Sequence, residues 1–168
     1  MNYCRRCAKP LMNQAAHQFK CSNGHTIYQN PSPTVGIFLL DPDRNVILCV
    51  RGIEPGKGGL DSIGGFVDGN ESLEQAIARE MLEETGLKPD DYSTPRYLTS
   101  ASGLYDFDNE TNMVLSCFYV AELLNGAEPR AHDDVASFVR VQPTALDVKK
   151  LWNDDVRVGF SKLLEVLS

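Results

Sequence analysis

The sequence predicts a mixed α/β domain, with helices packed on a sheet, preceded by a small module of different composition. The composition changes near residue 30: residues 1–30 are short of aliphatic side chains and rich in Cys, Asn, Gln and His, whereas residues 31–168 carry apolar runs separated by turn signals. After this boundary, strands are followed by a helix, further strands and final helices, an order that favours a mixed sheet. A chain of 168 residues suits one domain with a small appendage.

The first strands of the domain are predicted on either side of a turn. The apolar run 34–40 and the β-rich run 46–50 flank an Asp-Pro-Asp turn signal at 41–43, so we expect a hairpin. Residues 52–59 form a Gly/Pro loop. Residues 60–67 are predicted as a short strand that Gly64 and Gly65 interrupt.

The clearest helix is predicted over residues 72–85. Ser72 is a suitable N-cap with Gln75 three residues later, which is the capping-box pattern. Gly86 stands where a left-handed residue ends a helix. The apolar stripe is Leu73, Ile77 and Met81. Later elements are predicted as strands at 96–100, 113–121 and 137–141, with a polar loop between the first two, and as helices at 143–152 and 156–167.

Charge and hydropathy restrict the class of protein. No apolar run approaches the roughly 18 residues of a membrane span, and the cationic N-terminus lacks the apolar stretch of a secretory signal, so we expect a cytoplasmic protein. Residues 1–30 contain four Lys or Arg and no acid, while the rest holds 12 Lys or Arg against 23 Asp or Glu. Because an acidic surface repels phosphates, a phosphate substrate would need cations or local basic residues.

Three carboxylates share one face at the end of the predicted helix. Glu80, Glu83 and Glu84 stand at i, i+3 and i+4, where like charges repel by roughly 0.2–0.5 kcal/mol per pair. The negative end of the helix dipole adds to this repulsion. A solvated acidic face with Arg79 in an ordinary surface pair would explain the pattern structurally. Functionally, hard divalent cations such as Mg²⁺ would stabilise the same arrangement through oxygen ligands.

The segment around these acids resembles the signature of the Nudix hydrolase family. It reads GFVDGNESLEQAIAREMLEETGL over residues 65–87, and each signature position within it agrees with the family. The resemblance implies a Nudix-type α/β/α sandwich. It also implies hydrolysis of a nucleoside diphosphate linked to another group, with Mg²⁺ or Mn²⁺. By the same resemblance Glu80, Glu83 and Glu84 are metal ligands, and Glu80 is also the usual base.

The resemblance assigns supporting roles to neighbouring residues. Arg79 would orient the carboxylates, Glu71 would be its partner or a weaker metal ligand, and the carbonyl of Gly64 or Gly65 would be a further ligand. Ile63 departs from the family, which commonly has Pro there. A further acid from a later loop is expected: the pair at 133–134, with Asp134 as the assigned ligand, or Glu110 as second choice. The predicted substrate-binding residues are Tyr105, Phe107 and Arg51.

The N-terminal cysteines resemble a zinc ribbon. Cys4-x2-Cys7 and Cys21-x3-His25 supply four donors suited to tetrahedral Zn²⁺ in a closed structural site. His17 is the alternative fourth ligand. Reduced thiols without metal, or a disulfide, are the other interpretations. The remaining cysteines, 49 and 117, lie in apolar runs and are expected to be small buried side chains.

A ribbon ahead of this domain is similar to the NADH pyrophosphatase branch of the family. That branch carries an S-Q-P-W-P-F-P run after the signature, and residues 99–105 here read TSASGLY, which leaves the substrate open among ADP-ribose, an NADH-like dinucleotide and a nucleotide sugar. The resemblance also implies a homodimer. The alternatives are a nucleotide-sensing or RNA-binding module on the same scaffold, and an enzyme that removes nucleotide caps from RNA.

Overall fold

The computed structural model describes residues 2–168. The chain divides into two compact units, Met1–Pro31 and Ser32–Ser168. Each is described by itself below. Within the described residues, no helix has both the length and the apolarity needed to cross a membrane.

The first unit is a three-stranded antiparallel sheet. Its strands are β1 (Leu11–Ala15), β2 (Gln18–Cys21) and β3 (Thr26–Tyr28), in the order β1-β2-β3. Its small core contains Ile27 together with Cys4 and Cys21. With so little apolar surface to bury, a sheet of this size is marginal without an additional cross-link such as a metal.

The second unit contains the remaining strands and both helices. The sheet order is β6-β5-β4-β8-β7, with β9 also paired to β5; β4 and β8 are parallel and every other neighbouring pair is antiparallel. The mixed sheet and the first hairpin are therefore confirmed. The elements are β4 (Ser32–Leu40), β5 (Val46–Arg51), β6 (Leu60–Asp61), α1 (Leu73–Thr85), β7 (Arg96–Phe107), β8 (Glu110–Glu122), β9 (Val135–Val141) and α2 (Asp154–Leu167).

The central strand β4 is buried on both faces, and each face packs against a different helix. Because successive side chains of a strand point to opposite faces, Ile37 and Leu39 join one core with Ile77 and Met81 of α1. The second core forms on the other face, where α2 contributes its buried side chains; its residues include Phe38, Leu40, Phe118, Val156, Phe160 and Leu163. The sheet is thus the middle layer of an α/β/α sandwich.

The hairpin of β7 and β8 is much longer than the sequence predicts. The expected polar loop is instead continuous strand, and the two strands meet at Asp108 and Asn109, which have φ of 51° and 61°. Two consecutive positive φ angles match the twist of a tight hairpin, and Asp and Asn tolerate them better than most residues. The prediction of a loop is wrong because the polar residues of this segment alternate along one face of paired strands, and a high polar content alone is also typical of loops.

The helix predicted over 143–152 is also wrong. The structure has two single 3-10 turns there, Pro143–Ala145 and Val148–Lys150. Asp147 accepts a hydrogen bond from the backbone N–H of Lys149, which competes with helix formation. Beyond it the chain is extended, since Leu151 is fully buried and the Trp152 N–H donates to the Leu60 carbonyl at 3.0 Å. Apolar spacing here reflects core filling and not a helical period.

Candidate active site

Helix α1 holds its carboxylates in place through well-formed ends. Ser72 and Gln75 make the reciprocal capping box that the sequence predicts, and Gly86 takes the left-handed conformation with φ of 73°. Between these caps, Ile77 and Met81 are buried against the sheet, which fixes the rotation of the helix about its axis. As a result the side chains of Glu80 and Glu84 are buried beside the Gly64–Gly65 pair.

One arginine links the acidic residues of this segment. Arg79 forms a two-point contact with Glu71, through Nη2 to Oε1 at 2.6 Å and Nε to Oε2 at 3.1 Å. Its Nη1 donates to Glu80 at 2.7 Å and to Glu83 at 3.0 Å, and Nη2 also donates to the Phe66 carbonyl at 2.8 Å. Such multiple charge-assisted bonds suit the planar guanidinium and not an ammonium group. The geometry places Arg79 and Glu71 where an orienting pair would stand.

The glycine pair before the helix lies against the carboxylates. The Gly64 N–H donates to Glu84 Oε2 at 2.8 Å, and a Cβ at Gly65 would be 2.7 Å from Glu80 Oε1. Gly64 has φ of 140°, and a Cβ there would be 2.2 Å from the Val35 carbonyl. The Gly65 carbonyl accepts from the Val35 N–H at 2.9 Å, which leaves one lone pair for another partner. Only glycine fits at position 64, and a side chain at position 65 would displace the Glu80 carboxylate.

The carboxylates here carry more negative charge than their surroundings balance. Burial raises the pKa of Glu84 to about 8; the hydrogen bond from the Gly64 N–H opposes this shift, and repulsion from Glu80, Asp61 and Asp134 adds to it. Burial also raises the pKa of Glu80 in spite of Arg79. A hard divalent cation would relieve this repulsion, and the donors are all oxygen, as Mg²⁺ prefers. The residues therefore fit a divalent metal.

These groups line one cleft of about 240 Å³. The cleft brings together all three helix carboxylates, Arg79, both glycines and the acids at 133–134. Arg51 and Tyr105 lie in its wall, whereas Glu71 contacts Arg79 from outside the lining. Phe107 is 61% exposed and Glu110 is exposed beside the Asp108–Asn109 turn, and neither lines the cleft.

Several cleft residues are not apparent from the sequence. Asp61 forms an ion pair with Arg51 at 2.9 Å, and burial raises the pKa of Asp61 to about 6. The Arg51 guanidinium lies 4.3 Å over the centroid of the Trp152 ring. Arg51 is a predicted substrate-binding residue, but no short-range motif signals Asp61 or Trp152. Pairing of β5 with β6 and extended chain after residue 150 bring these two residues to the cleft. The cleft lining also includes Thr34, Phe66, Ser116 and Asp155, none of which the sequence predicts as a site residue.

The first unit brings its predicted metal ligands together. The ligand atoms of Cys4, Cys7, Cys21 and His25 all lie within 4.8 Å of one another, the one such group of three or more in residues 2–168. The helix carboxylates do not form such a group within the described residues: Arg79 binds Glu80 and Glu83, whereas Glu84 accepts from the Gly64 N–H. The Cys4 sulfur is 3.6 Å from His25 Nδ1. His17 instead stacks on Tyr28.

Hydrogen bonds within the cluster favour the thiolate form of Cys4, which is the form that binds a metal ion. The pKa of Cys4 is lowered to about 6: burial opposes this, but hydrogen bonds from the Arg6 backbone, His25 and Cys7 outweigh it. The five cysteines are free thiols in the structure. A thiolate beside imidazole and further sulfur donors is the donor set that Zn²⁺ prefers. Of the other two cysteines, Cys49 is buried and Cys117 is half-buried.

Comparison with known proteins identifies the family. The family model described as the NUDIX domain matches residues 30–160. The chain belongs to the Nudix family. Together with relatives named as pyrophosphatases, this makes it a Nudix-type hydrolase, as the signature over residues 65–87 predicts.

Two curated relatives illustrate the range of named Nudix activities. The chain is 29% identical over 140 residues to the ADP-ribose pyrophosphatase of Methanocaldococcus jannaschii, a match covering 79% of this chain and 78% of that protein. It is 31% identical over 117 residues to the NAD-capped RNA hydrolase of Schizosaccharomyces pombe, covering 68% of this chain. The match spans 29% of the latter protein's length, so most of that relative has no counterpart in the alignment.

Solved structures show the Nudix fold. A NUDIX hydrolase from Nitrosomonas europaea superposes with a TM-score of 0.65 at 20% identity, covering 98% of this chain and 91% of that chain. The NUDIX domain of Shewanella oneidensis NrtR, crystallised with ADP ribose, superposes with a TM-score of 0.64 at 22% identity, covering 84% and 91%. These similarities establish the α/β/α sandwich for the second unit.

Proposed function

We propose that this Nudix protein is a Mg²⁺- or Mn²⁺-dependent pyrophosphohydrolase acting on a nucleoside diphosphate linked to another group, with ADP-ribose or an NAD-like dinucleotide as the first candidates. The observation that carries the proposal is the burial of Glu80 and Glu84, each 8% exposed, at the edge of one cleft with Arg79 bonded across the acidic segment. Buried, mutually repelling carboxylates destabilise a protein unless they bind a cation.

The residues of the cleft would have different roles in the reaction. Glu80, Glu83, Glu84, the carbonyl of Gly64 or Gly65, and Asp134 would hold the metal, with Glu71 as a weaker contributor. A divalent cation, when bound, supplies neutralisation of the diphosphate charge and polarisation of phosphorus. Glu80 is the candidate base that accepts a proton from the attacking water, because it is buried and held by Arg79.

The substrate class is supported by the relatives and by the cleft walls. The archaeal relative is named for ADP-ribose, and other matched relatives are named for NAD(P)H or NAD-capped RNA. In this chain Phe66 and Tyr105 meet edge to face at 5.3 Å beside the carboxylates, which offers an aromatic surface to a nucleobase. Arg51 adds a cation within the same wall.

The test is cleavage by the purified full-length chain with Mg²⁺ or Mn²⁺. ADP-ribose, NADH, FAD, dinucleoside polyphosphates, nucleotide sugars and nucleoside triphosphates would be compared by chromatography. Glu83→Gln should abolish metal-dependent release of a nucleoside monophosphate. Glu74→Gln, exposed in the first turn of the same helix, is the matched control and should keep it. Absence of turnover on every substrate, with tight nucleotide binding, would favour the sensing module instead.

Structural zinc is proposed for the first unit. Cys4, Cys7, Cys21 and His25 would fill all four positions, so the metal would have no open site for chemistry. It would stabilise a unit whose apolar core is small. A homodimer and a cytoplasmic location stay predictions from the resemblance and the composition.

A second candidate activity is removal of nucleotide caps from RNA. The observation that favours it is the charge of the first unit, whose groove is lined by Arg5, Arg6 and Tyr28, a combination of cations and an aromatic ring suited to single strands. The S. pombe relative is named for NAD-capped RNA. A higher kcat/KM on 5′-NAD-capped RNA than on free NAD, lost at high salt and in the double variant Arg5→Ala/Arg6→Ala, would establish this activity. Equal rates on both would exclude a role for the RNA chain.

A further inference from the structure

An ion pair in the wall of the cleft joins β5 to β6. Arg51 Nη1 donates to Asp61 Oδ2 at 2.9 Å, and both side chains are largely buried, with exposed fractions of 15% and 13%. Arg51 Nε also donates to the Pro55 carbonyl at 2.7 Å, and the guanidinium lies over the Trp152 ring. The cation is therefore engaged by three parts of the protein, and Asp61 is the acid among these contacts.

The other oxygen of Asp61 bonds to the residue that follows it. Asp61 Oδ1 accepts from the Ser62 N–H at 2.8 Å and from the Ser62 hydroxyl at 3.4 Å. A carboxylate has about four lone-pair sites, so some acceptor capacity is left towards the cleft that Asp61 lines. Because each oxygen is held by a different group, the orientation of the carboxylate is fixed.

The chain changes its strand partner directly after Asp61. Asp61 pairs with Cys49 of β5, whereas Ile63 pairs with Ile37 of β4, each N–H donating to the other carbonyl at 2.7 and 3.1 Å. Between them, the Ser62 carbonyl accepts from the Cys49 thiol at 3.2 Å. The contacts of Asp61 and Ser62 therefore hold the chain at the point where it crosses from one strand to the next.

This crossing leads to the glycine pair of the candidate metal site. The Gly64 N–H, three residues after Asp61, donates to Glu84 Oε2 at 2.8 Å. A displacement of the backbone at Asp61 would move this N–H, and with it the Glu84 carboxylate. The ion pair thus has a route of named contacts to a candidate metal ligand.

The charge of Asp61 also acts on Glu84 through space. Both carboxylates line one cleft, and repulsion from Asp61 contributes to the raised pKa of Glu84. Burial raises the pKa of Asp61 itself to about 6, and Arg51 opposes this shift without cancelling it. Groups beyond the direct ligands of a metal commonly orient those ligands and tune the affinity for the ion. Asp61 has both the contacts and the charge for such a role.

We propose that Asp61 is a positioning residue of the divalent-metal site and that Arg51 holds it in place. Asp61 would fix the backbone that reaches Gly64 and would add negative charge beside Glu84. In this assignment Arg51, which the sequence predicts to bind substrate, acts on the metal through Asp61. The inference deepens the proposed function and rests on its metal site.

The experiment measures Mn²⁺ binding to the full-length chain without nucleotide, from the paramagnetic resonance signal of free Mn²⁺. Asp61→Asn keeps the size of the side chain and an oxygen acceptor but removes the charge, so the dissociation constant for Mn²⁺ should rise by about 10- to 100-fold. Asp43→Asn removes a charge from the exposed turn after β4; it is the matched control and should bind Mn²⁺ like the wild type. The melting temperature of metal-free Asp61→Asn should stay close to that of the wild type. An affinity that falls only together with the melting temperature would indicate a purely structural role and overturn the inference.

A double-mutant cycle tests the part assigned to Arg51. Arg51→Met frees the Asp61 carboxylate and should also weaken Mn²⁺ binding. The double variant Arg51→Met/Asp61→Asn replaces the ion pair with two neutral side chains and should bind Mn²⁺ no more weakly than Asp61→Asn alone, because Arg51 acts through Asp61. This variant keeps the inference testable if Asp61→Asn does not fold. A raised KM for ADP-ribose in Arg51→Met, with unchanged Mn²⁺ affinity, would make Arg51 a substrate ligand and overturn its assignment.

The inference and the proposed function can fail separately. Mn²⁺ binding that depends on Asp61, in a protein that hydrolyses none of the substrates, supports the inference and overturns the proposed hydrolase. Metal-dependent hydrolysis together with wild-type Mn²⁺ affinity in Asp61→Asn overturns the inference and leaves the hydrolase standing.

Discussion

Glu84 should make the metal-free protein lose stability as pH rises. Its pKa in the folded chain is about 8 against an ordinary value of 4.5. A carboxyl whose pKa is raised by folding contributes stability that is fully present below the unfolded pKa and is lost as pH rises through the folded pKa. At 1.36 kcal/mol per pH unit, the interval from 4.5 to 8 corresponds to a loss of at most about 5 kcal/mol.

Replacing the carboxyl with an amide should remove this loss. Glu84→Gln keeps an oxygen to accept the Gly64 N–H but cannot ionise, so its stability should depend less on pH. In Mg²⁺-free buffer the variant should exceed the wild type in free energy of unfolding by about 2–5 kcal/mol at pH 8, and the difference should shrink towards pH 5. Added Mg²⁺ should stabilise the wild type at pH 8 and have little effect on the variant.

Urea denaturation at pH 5, 6.5 and 8 measures these differences. Chelator is omitted so that the cysteine cluster is not perturbed. Asp61 and Glu80, whose pKa values are also raised, titrate in both proteins, so the difference between the proteins reports Glu84 together with its repulsion of these two carboxylates. Glu165→Gln, an exposed carboxylate in the last turn of α2, is the control and should follow the wild type. Equal pH dependence in wild type and Glu84→Gln would refute the charge argument for the metal site.

Three further perturbations test the other parts of the site. Arg79→Lys loses the two-point contact with Glu71 and should lower kcat by about 10- to 100-fold with little change in KM, as steady-state kinetics would show; an effect on KM alone would contradict an orienting role. Gly65→Ala puts a methyl group 2.7 Å from a Glu80 oxygen and should weaken Mg²⁺ binding in calorimetric titration. An unchanged Mg²⁺ affinity would contradict a role for Glu80 as a metal ligand. Cys21→Ser should reduce bound zinc, measured by elemental analysis, from one equivalent to a small fraction; zinc content unchanged from wild type would argue against the ribbon.

Local sequence signals predict α1 and its surroundings well. The capping box at Ser72, the left-handed Gly86 and the buried stripe are each decided within a few residues of chain, and the structure confirms them. The Cys and His cluster of the first unit is also predicted by local signals, because spacing within two short segments brings the donor atoms together. In the second unit, the strands follow one another along the chain in the predicted order, because each apolar run is long enough to indicate a strand.

The wall opposite α1 could not be predicted in the same way. Asp155 reaches Ser116 across 39 residues of sequence, and Arg51 meets Asp61 through the pairing of two strands. Neither contact leaves a periodic pattern. Phe107 is predicted to bind substrate because it is an aromatic residue near a strand, but the hairpin places it outside the cleft lining. Long-range pairing, and not local preference, decides which polar side chains share this space.

The alternation of β4 separates the cleft into two independently adjustable halves. The Val35 N–H donates to the Gly65 carbonyl beside the carboxylates of α1. Its neighbour Thr34 donates to the Ser116 hydroxyl, which in turn donates to Asp155 of α2. Strand β4 therefore contacts both sides of the cleft, and its register fixes the spacing between the carboxylates of α1 and Asp155 of α2. A scaffold built in this way allows the side of the cleft formed by α2 and β8 to vary in evolution or in the laboratory while the carboxylates of α1 keep their positions.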